Sequence, residues 1–208
     1  MLPAEISDPL VAEQLQAHLP CAMIGRQIIV LDQTSSTNDA IFQVATANSN
    51  EGLVVFAEHQ TAGRGQRGNR WESATGKGLW FSMLLRPKIR INDSGRLTAW
   101  AIEAIAHVIR TEFFLEPAIK LPNDVQLYGR KVAGVLVEMR AEQKAPHLAI
   151  VGIGINVNQS LEDFPSELQT RAISLAMALH LRVNRQELAV AILRNLDRTY
   201  RARFTPDG

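Results

Sequence analysis

Residues 60–71 read Gln60-Thr-Ala-Gly-Arg-Gly-Gln-Arg-Gly-Asn-Arg-Trp71, and they form a loop between two apolar segments. Five of the thirteen glycines lie between Gly63 and Gly78, a stretch with one acid and four basic residues, Arg64, Arg67, Arg70 and Lys77. Glycine lets backbone N–H groups approach a ligand closely, and guanidinium groups supply paired donors for an anion. The composition therefore predicts a loop that binds a small anionic ligand, such as a phosphate or an acyl phosphate.

The segments on either side of this loop decide whether it belongs to a dinucleotide-binding fold. Gly63, Gly65 and Gly68 fit the pattern GxGxxG, which in a dinucleotide-binding fold follows a strand and opens a helix. A strand is indicated before the loop, at 53–57, but 79–85 reads as a second strand. The sequence therefore argues against dinucleotide binding. The alternative of a solvated basic loop with no ligand stays open.

The composition sets the protein class. The 208 residues suit one domain, or one domain with a small appendage, and 46% hydrophobic residues can form a real core. A formal net charge of +1 without a long basic tract argues against nucleic acid as the main partner. No apolar run is long enough for a membrane span, and the lone Cys21 favours a reducing cytoplasm. The five histidines show no metal-ligand spacing.

Hydrophobic periodicity and capping residues predict the remaining elements. Helices are expected at 7–18, at 40–45 after the cap-rich residues 34–39, at 97–113 and at 188–204. The last of these has Asn184 and Glu187 at capping positions. Strands are expected at 28–31, in a hairpin of 125–128 with 131–139, and at 148–157 beside that hairpin. This order predicts an α+β fold, with a mostly antiparallel sheet that is covered on one face.

Two further sets of polar residues lie before and within the predicted hairpin. In Lys120-Leu-Pro-Asn-Asp124, Pro122 disfavours a helix, so Lys120, Asn123 and Asp124 are expected on a rigid turn. On the spacing alone, an ordinary turn, in which Asp124 caps its own backbone, is the favoured interpretation. Lys131 begins the second strand of the hairpin, where a lysine is usually solvated.

The segment Gly152-Ile-Gly-Ile-Asn156 places two glycines on one face of a strand. Gly152 and Gly154 would leave room for a flat group against the sheet, and tight packing against a helix is the alternative. Asn156 would reach the same surface with an amide that both donates and accepts.

Together these stretches resemble the biotin protein ligases, the enzymes that attach biotin to a lysine of biotin-dependent carboxylases. The matching motifs occur in the family's order and spacing over residues 25–204. They are 36–38, 60–65 continuing to 71–73, 120–124, 129–134 with 137–138, and 152–158. Five motifs in register are far more specific than any one of them.

The resemblance implies a catalytic domain at 25–208, preceded at 1–24 by an N-terminal extension with a short helix. It implies a mixed, largely antiparallel sheet flanked by helices, similar to class II aminoacyl-tRNA synthetases. It also implies two chemical steps. The biotin carboxylate attacks the α-phosphate of Mg-ATP to give biotinyl-5′-AMP, and a lysine of a biotin carboxyl carrier domain then displaces AMP.

The resemblance also implies roles for particular residues. Arg64, Lys131 and Asp124 would be catalytic, with the two cations on the carboxylate and α-phosphate and Asp124 near the incoming lysine. Biotin would contact Ser36, Thr37, Asn38, Gln60, Arg64, Gly65, Gln66, Lys131, Gly134, Gly152 and Gly154. The nucleotide would contact Arg67, Arg70, Trp71, Lys120, Asn123 and Asn156, and Trp71 would stack on adenine. No side chain is assigned as a metal ligand, so Mg²⁺ would accompany ATP.

The chain departs from the family pattern in several places. Gln66 stands where an arginine is expected, so retention of the adenylate is expected to be weaker. Leu121 stands where the family usually has tryptophan, which alters packing around Lys120 and Asn123. A C-terminal β-barrel and an N-terminal DNA-binding domain, which many members carry, are not apparent, so a ligase without repressor function is expected. Monomer and homodimer both stay open.

Two other functions remain to be distinguished. A lipoate ligase or transferase would use the same fold for another carboxylic acid, although residues 36–38 and the paired glycines favour a ring that contains a urea. A non-catalytic module that binds biotin or its adenylate would keep the pocket and lack transfer.

Overall fold

A computed structural model describes residues 8–45, 51–141 and 147–205, and a seven-stranded sheet forms its centre. The strands are β1 (Gln27–Thr34), β2 (Leu53–Gln60), β3 (Gly78–Leu85), β4 (Ala118–Lys120), β5 (Asp124–Leu127), β6 (Arg130–Arg140) and β7 (Leu148–Asn156). Their spatial order is β1-β2-β3-β7-β6-β5-β4. Only β1 and β2 are parallel, and the other neighbours are antiparallel. The expected α+β fold with a mixed, mostly antiparallel sheet is confirmed.

Five α-helices accompany this sheet within the described residues. They are α1 (Ala12–Ala17), α2 (Thr37–Val44), α3 (Gly95–Phe113), α4 (Leu175–Leu179) and α5 (Arg185–Phe204). Asn184 caps α5 by accepting a hydrogen bond from Glu187 N at 3.1 Å, as its sequence position predicts. Helix α2 begins at Thr37, earlier than the expected residue 40, because Ser36 O already accepts from Ala40 N. The helix expected at 7–18 is shorter at both ends, and its predicted residue 7 lies outside the described residues.

The main core lies between the sheet and the helices α3 and α5. Alternation along β2 directs Val54 and Phe56 into this core, together with Trp100 of α3 and Leu196 of α5. Trp100, Tyr200 and Phe204 pack with their ring centroids 5.2 to 5.9 Å apart. Leu15 of α1 is fully buried in the same cluster, so the N-terminal helix shares this core.

Helix α2 covers one end of the opposite face. Ile41 packs there against Val55 and Leu84, which alternate with the core-facing residues of the same strands. The expectation that helices cover only one face is therefore wrong, because residues 37–44 follow a strand at the edge and fold back over its neighbours. The rest of this face, over β3, β7 and β6, is not covered by α2 and is where the candidate site lies.

The basic loop after β2 leads into another strand and not into a helix. Residues 66–68 form one 3₁₀ turn, and the chain then returns as β3, antiparallel to β2. This confirms that the GxGxxG pattern does not belong to a dinucleotide-binding fold. No helix in the described part of the chain is long and apolar enough to cross a membrane.

Candidate functional site

Two adjoining pockets lie on the face of the sheet that carries α2. The inner pocket is lined by Ser36, Thr37, Asn38, Gln60, Arg64, Gly65, Trp71, Asn123, Lys131, Gly134, Val135, Leu136, Gly152, Ile153 and Gly154. The outer pocket is lined by residues 69–72, Lys120, Asp124, Gln126, Gly129, Lys131, Asn156, Phe164, Leu168 and residues 170–172. Trp71 and Lys131 belong to both. Of the residues predicted for the site, only Gln66 and Arg67 line neither pocket.

The inner-pocket wall begins with a chain of buried polar groups. Gln60 Oε1 accepts a hydrogen bond from Thr37 N at 2.8 Å, and Gln60 Nε2 donates to Ser73 Oγ at 3.2 Å. Ser82 Oγ lies 2.8 Å from Thr37 Oγ1 and 2.5 Å from Asn38 Oδ1. Because these side chains are almost fully buried, their donors and acceptors are oriented by one another.

Asn38 extends this wall across the sheet to Glu138 of β6. Its Nδ2 group donates to Glu138 Oε2 at 2.7 Å. A Cβ atom at Gly152 would overlap Asn38 Oδ1, so a glycine is required for the asparagine to lie against β7. At Gly152 the structure therefore shows close packing against helix α2, one of the two alternatives for the paired glycines.

Arg64 crosses the mouth of the inner pocket between two carboxylates. Its NH2 atom lies 2.8 Å from Asp39 Oδ1 and 2.7 Å from Glu138 Oε2, and its NH1 atom donates to Glu138 Oε1 at 3.1 Å. The Arg64 side chain remains 40% exposed. Such a half-exposed guanidinium can exchange a protein carboxylate for an anionic ligand at little net cost, because water screens both states.

Trp71 lies against Gly134 and Gly154, two of the glycines expected to contact biotin, which together form a glycine floor on the sheet. A Cβ atom at Gly154 would lie 2.5 Å from the indole, and one at Gly134 would lie 2.9 Å from it. Trp80 meets Trp71 edge-on, with ring centroids 5.9 Å apart. The flat group that these two glycines admit in this structure is therefore the indole of the basic loop itself.

The indole leaves the inner pocket very small. The remaining cavity is about 30 Å³, whereas the outer pocket measures about 420 Å³. Pockets for small organic ligands usually measure about 300–1,000 Å³. Trp71 must therefore move before such a ligand can reach the floor. Its buried Nε1 has no hydrogen-bond partner among the described residues, so no polar contact of the indole N–H opposes that movement.

Lys131 is held at the junction of the two pockets. Its Nζ lies 2.6 Å from Asp124 Oδ1 and 5.1 Å from the centroid of the Trp71 ring. Its backbone is fixed separately, since Lys131 N donates to Arg171 O at 2.8 Å and Lys131 O accepts from Ile173 N at 3.0 Å. The ammonium is thus positioned by its backbone while its charge is balanced by a neighbouring carboxylate.

The amides of Asn156 and Asn123 are engaged with backbone groups. Asn156 Nδ2 lies 3.3 Å from both Lys131 O and Ile173 O. Asn123 Nδ2 donates to Val135 O at 3.0 Å, and Lys120 is exposed at the end of β4. These contacts let the asparagines fix the strands around Lys131 in this structure, while Lys120 is available to the outer pocket.

Three residues that the sequence analysis does not assign belong to this site. Ser82 is completely buried in β3, and Glu138 and Asp39 hold Arg64. A serine that alternates with apolar residues in 79–85 is a usable signal for Ser82. Nothing local predicts the contact between Arg64 and Glu138, because the two residues are 74 positions apart.

Comparison with known proteins identifies the family. A sequence model of the biotin/lipoate A/B protein ligase family matches residues 30–156. The Bacillus subtilis protein named bifunctional ligase/repressor BirA is 37% identical over 196 residues, which are 94% of this chain and 60% of that protein. The Mycobacterium tuberculosis biotin--[acetyl-CoA-carboxylase] ligase is 33% identical over 195 residues, 91% of this chain and 70% of that protein.

A solved structure agrees with these sequence matches. The biotin protein ligase from Aquifex aeolicus, in complex with biotin and ATP, superposes with a TM-score of 0.71 at 30% identity. The match covers 86% of this chain and 73% of that chain. The chain spans only 60% of the length of the Bacillus relative, so the activity of the whole relative is not carried over with the fold. The chain belongs to the biotin/lipoate A/B protein ligase family.

Proposed function

We propose that this chain activates biotin with ATP to biotinyl-5′-AMP and transfers the biotinyl group to a lysine of a biotin carboxyl carrier domain. The observation that carries the proposal is the junction of a buried amide and hydroxyl wall with two cations, Arg64 and Lys131. Relatives that carry ligase names and the Aquifex complex with biotin and ATP support it.

The polar wall is suited to the ureido ring of biotin. A buried urea requires an acceptor for each N–H and donors for its carbonyl oxygen. Thr37, Asn38 and Gln60 present amide and hydroxyl groups of both kinds, and Ser36 lines the same pocket. Gly134 and Gly154 would form the floor beneath biotin once Trp71 has moved away.

In the first step, a biotin carboxylate oxygen bonds to the α-phosphorus while the bond to pyrophosphate breaks. Negative charge increases on the phosphate oxygens, and preorganised cations stabilise it. Arg64 would exchange its contacts with Asp39 and Glu138 for these oxygens, and Lys131 would exchange its contact with Asp124. Gln66 would contact biotin and Arg67 the nucleotide only after the loop has rearranged, because neither lines a pocket here.

ATP is proposed to occupy the outer pocket with Mg²⁺ on its phosphates. Mg²⁺ is usually held by substrate phosphates and one or two carboxylates, and Asp124 and Glu72 are the carboxylates of this pocket. The described residues include no cluster of three or more metal-ligating side chains. When bound, the ion would neutralise phosphate charge. Arg70, Lys120 and Asn156 line the outer pocket that the nucleotide would fill, and Asn123 would face it from the inner pocket.

In the second step, the lysine amine attacks the carbonyl carbon of the mixed anhydride. The amide bond forms, the bond to AMP breaks, and the nitrogen releases a proton. Asp124 would orient that amine or accept its proton once Lys131 has turned to the phosphate. Closure of the loop around Trp71, stacked on adenine, would exclude water from the adenylate.

The test is transfer of biotin by the purified chain to an isolated carrier domain with Mg-ATP, measured as the mass increase of the carrier. Pyrophosphate release without a mass increase would indicate activation without acceptor docking. Isothermal titration with biotin and lipoate tests the lipoate alternative, and lipoate binding without biotin binding would replace the proposal. Tight biotin binding without pyrophosphate release would indicate a binding module.

A further inference from the structure

Glu138 connects the two halves of the inner pocket. It lies on β6 opposite Ile150, and its side chain is 32% exposed. Its Oε2 atom receives hydrogen bonds from both Asn38 Nδ2 and Arg64 NH2, each at 2.7 Å. One carboxylate thus touches the polar wall and the cation at the pocket mouth.

We propose that Glu138 is a positioning residue that sets substrate specificity by fixing the direction of the Asn38 amide. The inference rests on the proposed function, because it concerns recognition of the biotin ureido ring. Glu138 would act through Asn38 without itself touching biotin.

The argument begins with what a carboxylate can do in a hydrogen bond. An ionised carboxylate only accepts, so the NH₂ end of Asn38 must face Glu138. The Oδ1 end then faces Ser82, which must donate its single hydroxyl proton to it. The second N–H of Asn38 has no partner among the described contacts, and Asn38 lines the inner pocket, so this N–H would be available to a ligand there.

A neutral amide at position 138 would remove this constraint. Glutamine presents a donor or an acceptor equally well, so the Asn38 amide could rotate and its partner Ser82 could reverse. The wall would then offer an acceptor where it now offers a donor. We therefore expect specificity to change even where the pocket keeps its shape.

Asp39 provides a matched comparison within the same cluster. It also binds Arg64, with a distance of 2.8 Å to NH2, and it is similarly exposed at 43%. No hydrogen bond between its side chain and the Asn38 amide is seen in the described residues. Substitution of Asp39 therefore removes a carboxylate from Arg64 while leaving the Asn38 amide fixed.

A second ligand makes the direction of the amide measurable. In 2-iminobiotin a guanidine replaces the urea and is protonated at neutral pH, so a positively charged C=NH₂⁺ donor stands where biotin has a carbonyl acceptor. Because Asp39→Asn also removes a negative charge beside Arg64, it controls for the effect of charge on this ligand. A wall with fixed donor directions discriminates strongly between the two ligands, since an unpaired buried polar group is unfavourable. The ratio of the two dissociation constants reports amide orientation, and a loss of fold would change both constants together.

The experiment is isothermal titration of the full chain with biotin and with 2-iminobiotin. We expect Glu138→Gln to weaken biotin binding about tenfold and to reduce the preference for biotin over 2-iminobiotin by a similar factor. Asp39→Asn should weaken biotin binding by less than about threefold and leave that preference unchanged. Asn38→Ala with and without Glu138→Gln completes a double-mutant cycle, in which the two effects should not add.

Three results would overturn the inference. The first is an unchanged ligand preference in Glu138→Gln, the second is equal loss of preference in Asp39→Asn, and the third is additivity with Asn38→Ala. If Glu138→Gln melts far below the parent, Ser82→Ala tests the same amide from its Oδ1 end, and an unchanged preference there also overturns it. A parent chain that binds lipoate and not biotin would overturn the proposed function itself, and the inference with it.

Discussion

Two arginines in this protein are each held by two carboxylates, and their surroundings differ sharply. Arg64 lies between Asp39 and Glu138 and is 40% exposed. Arg185, at the start of α5, lies between Asp8 and Glu58 and is only 1% exposed. The charges and the number of partners are the same, so burial is the main variable that distinguishes them.

Burial also determines how many further groups each arginine satisfies. Arg185 donates to the backbone oxygens of Asp8 and Gly78, at 2.6 and 3.2 Å. Glu58 in turn accepts from Leu10 N at 2.8 Å, so the cluster joins the N-terminal segment to β2, β3 and α5. A buried charge that loses its partners is strongly unfavourable, whereas a half-exposed charge is rescued by water. The Arg185 cluster therefore stabilises the fold, whereas Arg64 can exchange its carboxylate partners for an anionic ligand.

The largest expected effect is on stability, from Arg185→Ala. We expect the free energy of unfolding to fall by about 3–5 kcal/mol, because the mostly buried Glu58 would lose its arginine and Asp8 would keep only the exposed Arg182. Arg182→Ala is the control, since Arg182 also binds Asp8, at 3.1 Å, but is 44% exposed; it should lose about 1 kcal/mol or less. Urea denaturation measures the free energy of unfolding of both variants. Equal losses would contradict the distinction between buried and exposed arginines.

The next effect is on catalysis, from Arg64→Ala and Lys131→Ala. Each should reduce biotin-dependent pyrophosphate release by about 10²–10³-fold, the usual loss when one preorganised donor to a developing charge is removed. The free energy of unfolding should change by about 1 kcal/mol or less, since both side chains are partly exposed. Arg90→Ala, an exposed arginine paired with Asp93, serves as the control. Near-normal pyrophosphate release by both variants would refute the site assignment.

A smaller effect should follow from removing the indole that covers the glycine floor. Trp71→Ala should strengthen biotin binding in the absence of ATP about two- to fivefold, the factor that corresponds to the lost cation–π contact with Lys131. In the parent chain, biotin should change the tryptophan fluorescence, and Trp71→Phe should abolish that change. A signal that persists in Trp71→Phe would mean that Trp80 or Trp100 reports binding and that the indole stays in place.

The smallest effect should come from adding a second cation to the loop that carries Arg64. Gln66→Arg is expected to slow the escape of biotinyl-AMP about fivefold or less, since an exposed ion pair contributes up to about 1 kcal/mol. Free adenylate measured after a single turnover gives the rate, and Gln66→Ala should match the parent. An unchanged rate in Gln66→Arg would show that the glutamine does not weaken adenylate retention.

The sequence predicts the elements of the fold well, because each depends on local periodicity. The long helix expected at 97–113 is found at Gly95–Phe113. The hairpin expected from 125–128 and 131–139 is formed by β5 and β6, with its turn one residue earlier than expected, at 128–129. Helix α2 is the exception, since its position over the opposite face depends on packing against Val55 and Leu84. Strand β4 and the five-residue helix α4 are not predicted by the sequence, because elements this short carry little periodic pattern.

The site is less predictable than the fold for a physical reason. The motifs identify which residues meet, and most of them do line the two pockets. Their partners depend on sheet register and loop conformation, which act over long sequence separations. Arg185 is joined to Asp8 across 177 residues, and no local pattern signals a buried arginine there. The presence of Trp71 on the floor likewise reflects the conformation of the loop and not its composition.

Because the Trp71 indole covers Gly134 and Gly154, it restricts the size and shape of the ligands that can enter the inner pocket. A ligand that enters the inner pocket must replace the contacts that Trp71 gives up with the floor and with Lys131. A small carboxylic acid would meet Arg64 and Lys131 but leave the vacated floor empty, and so would not recover those contacts. A molecule with a compact ring and an acidic end would fill both regions, so under the proposed function the unliganded chain would discriminate against small carboxylic acids before any chemistry begins.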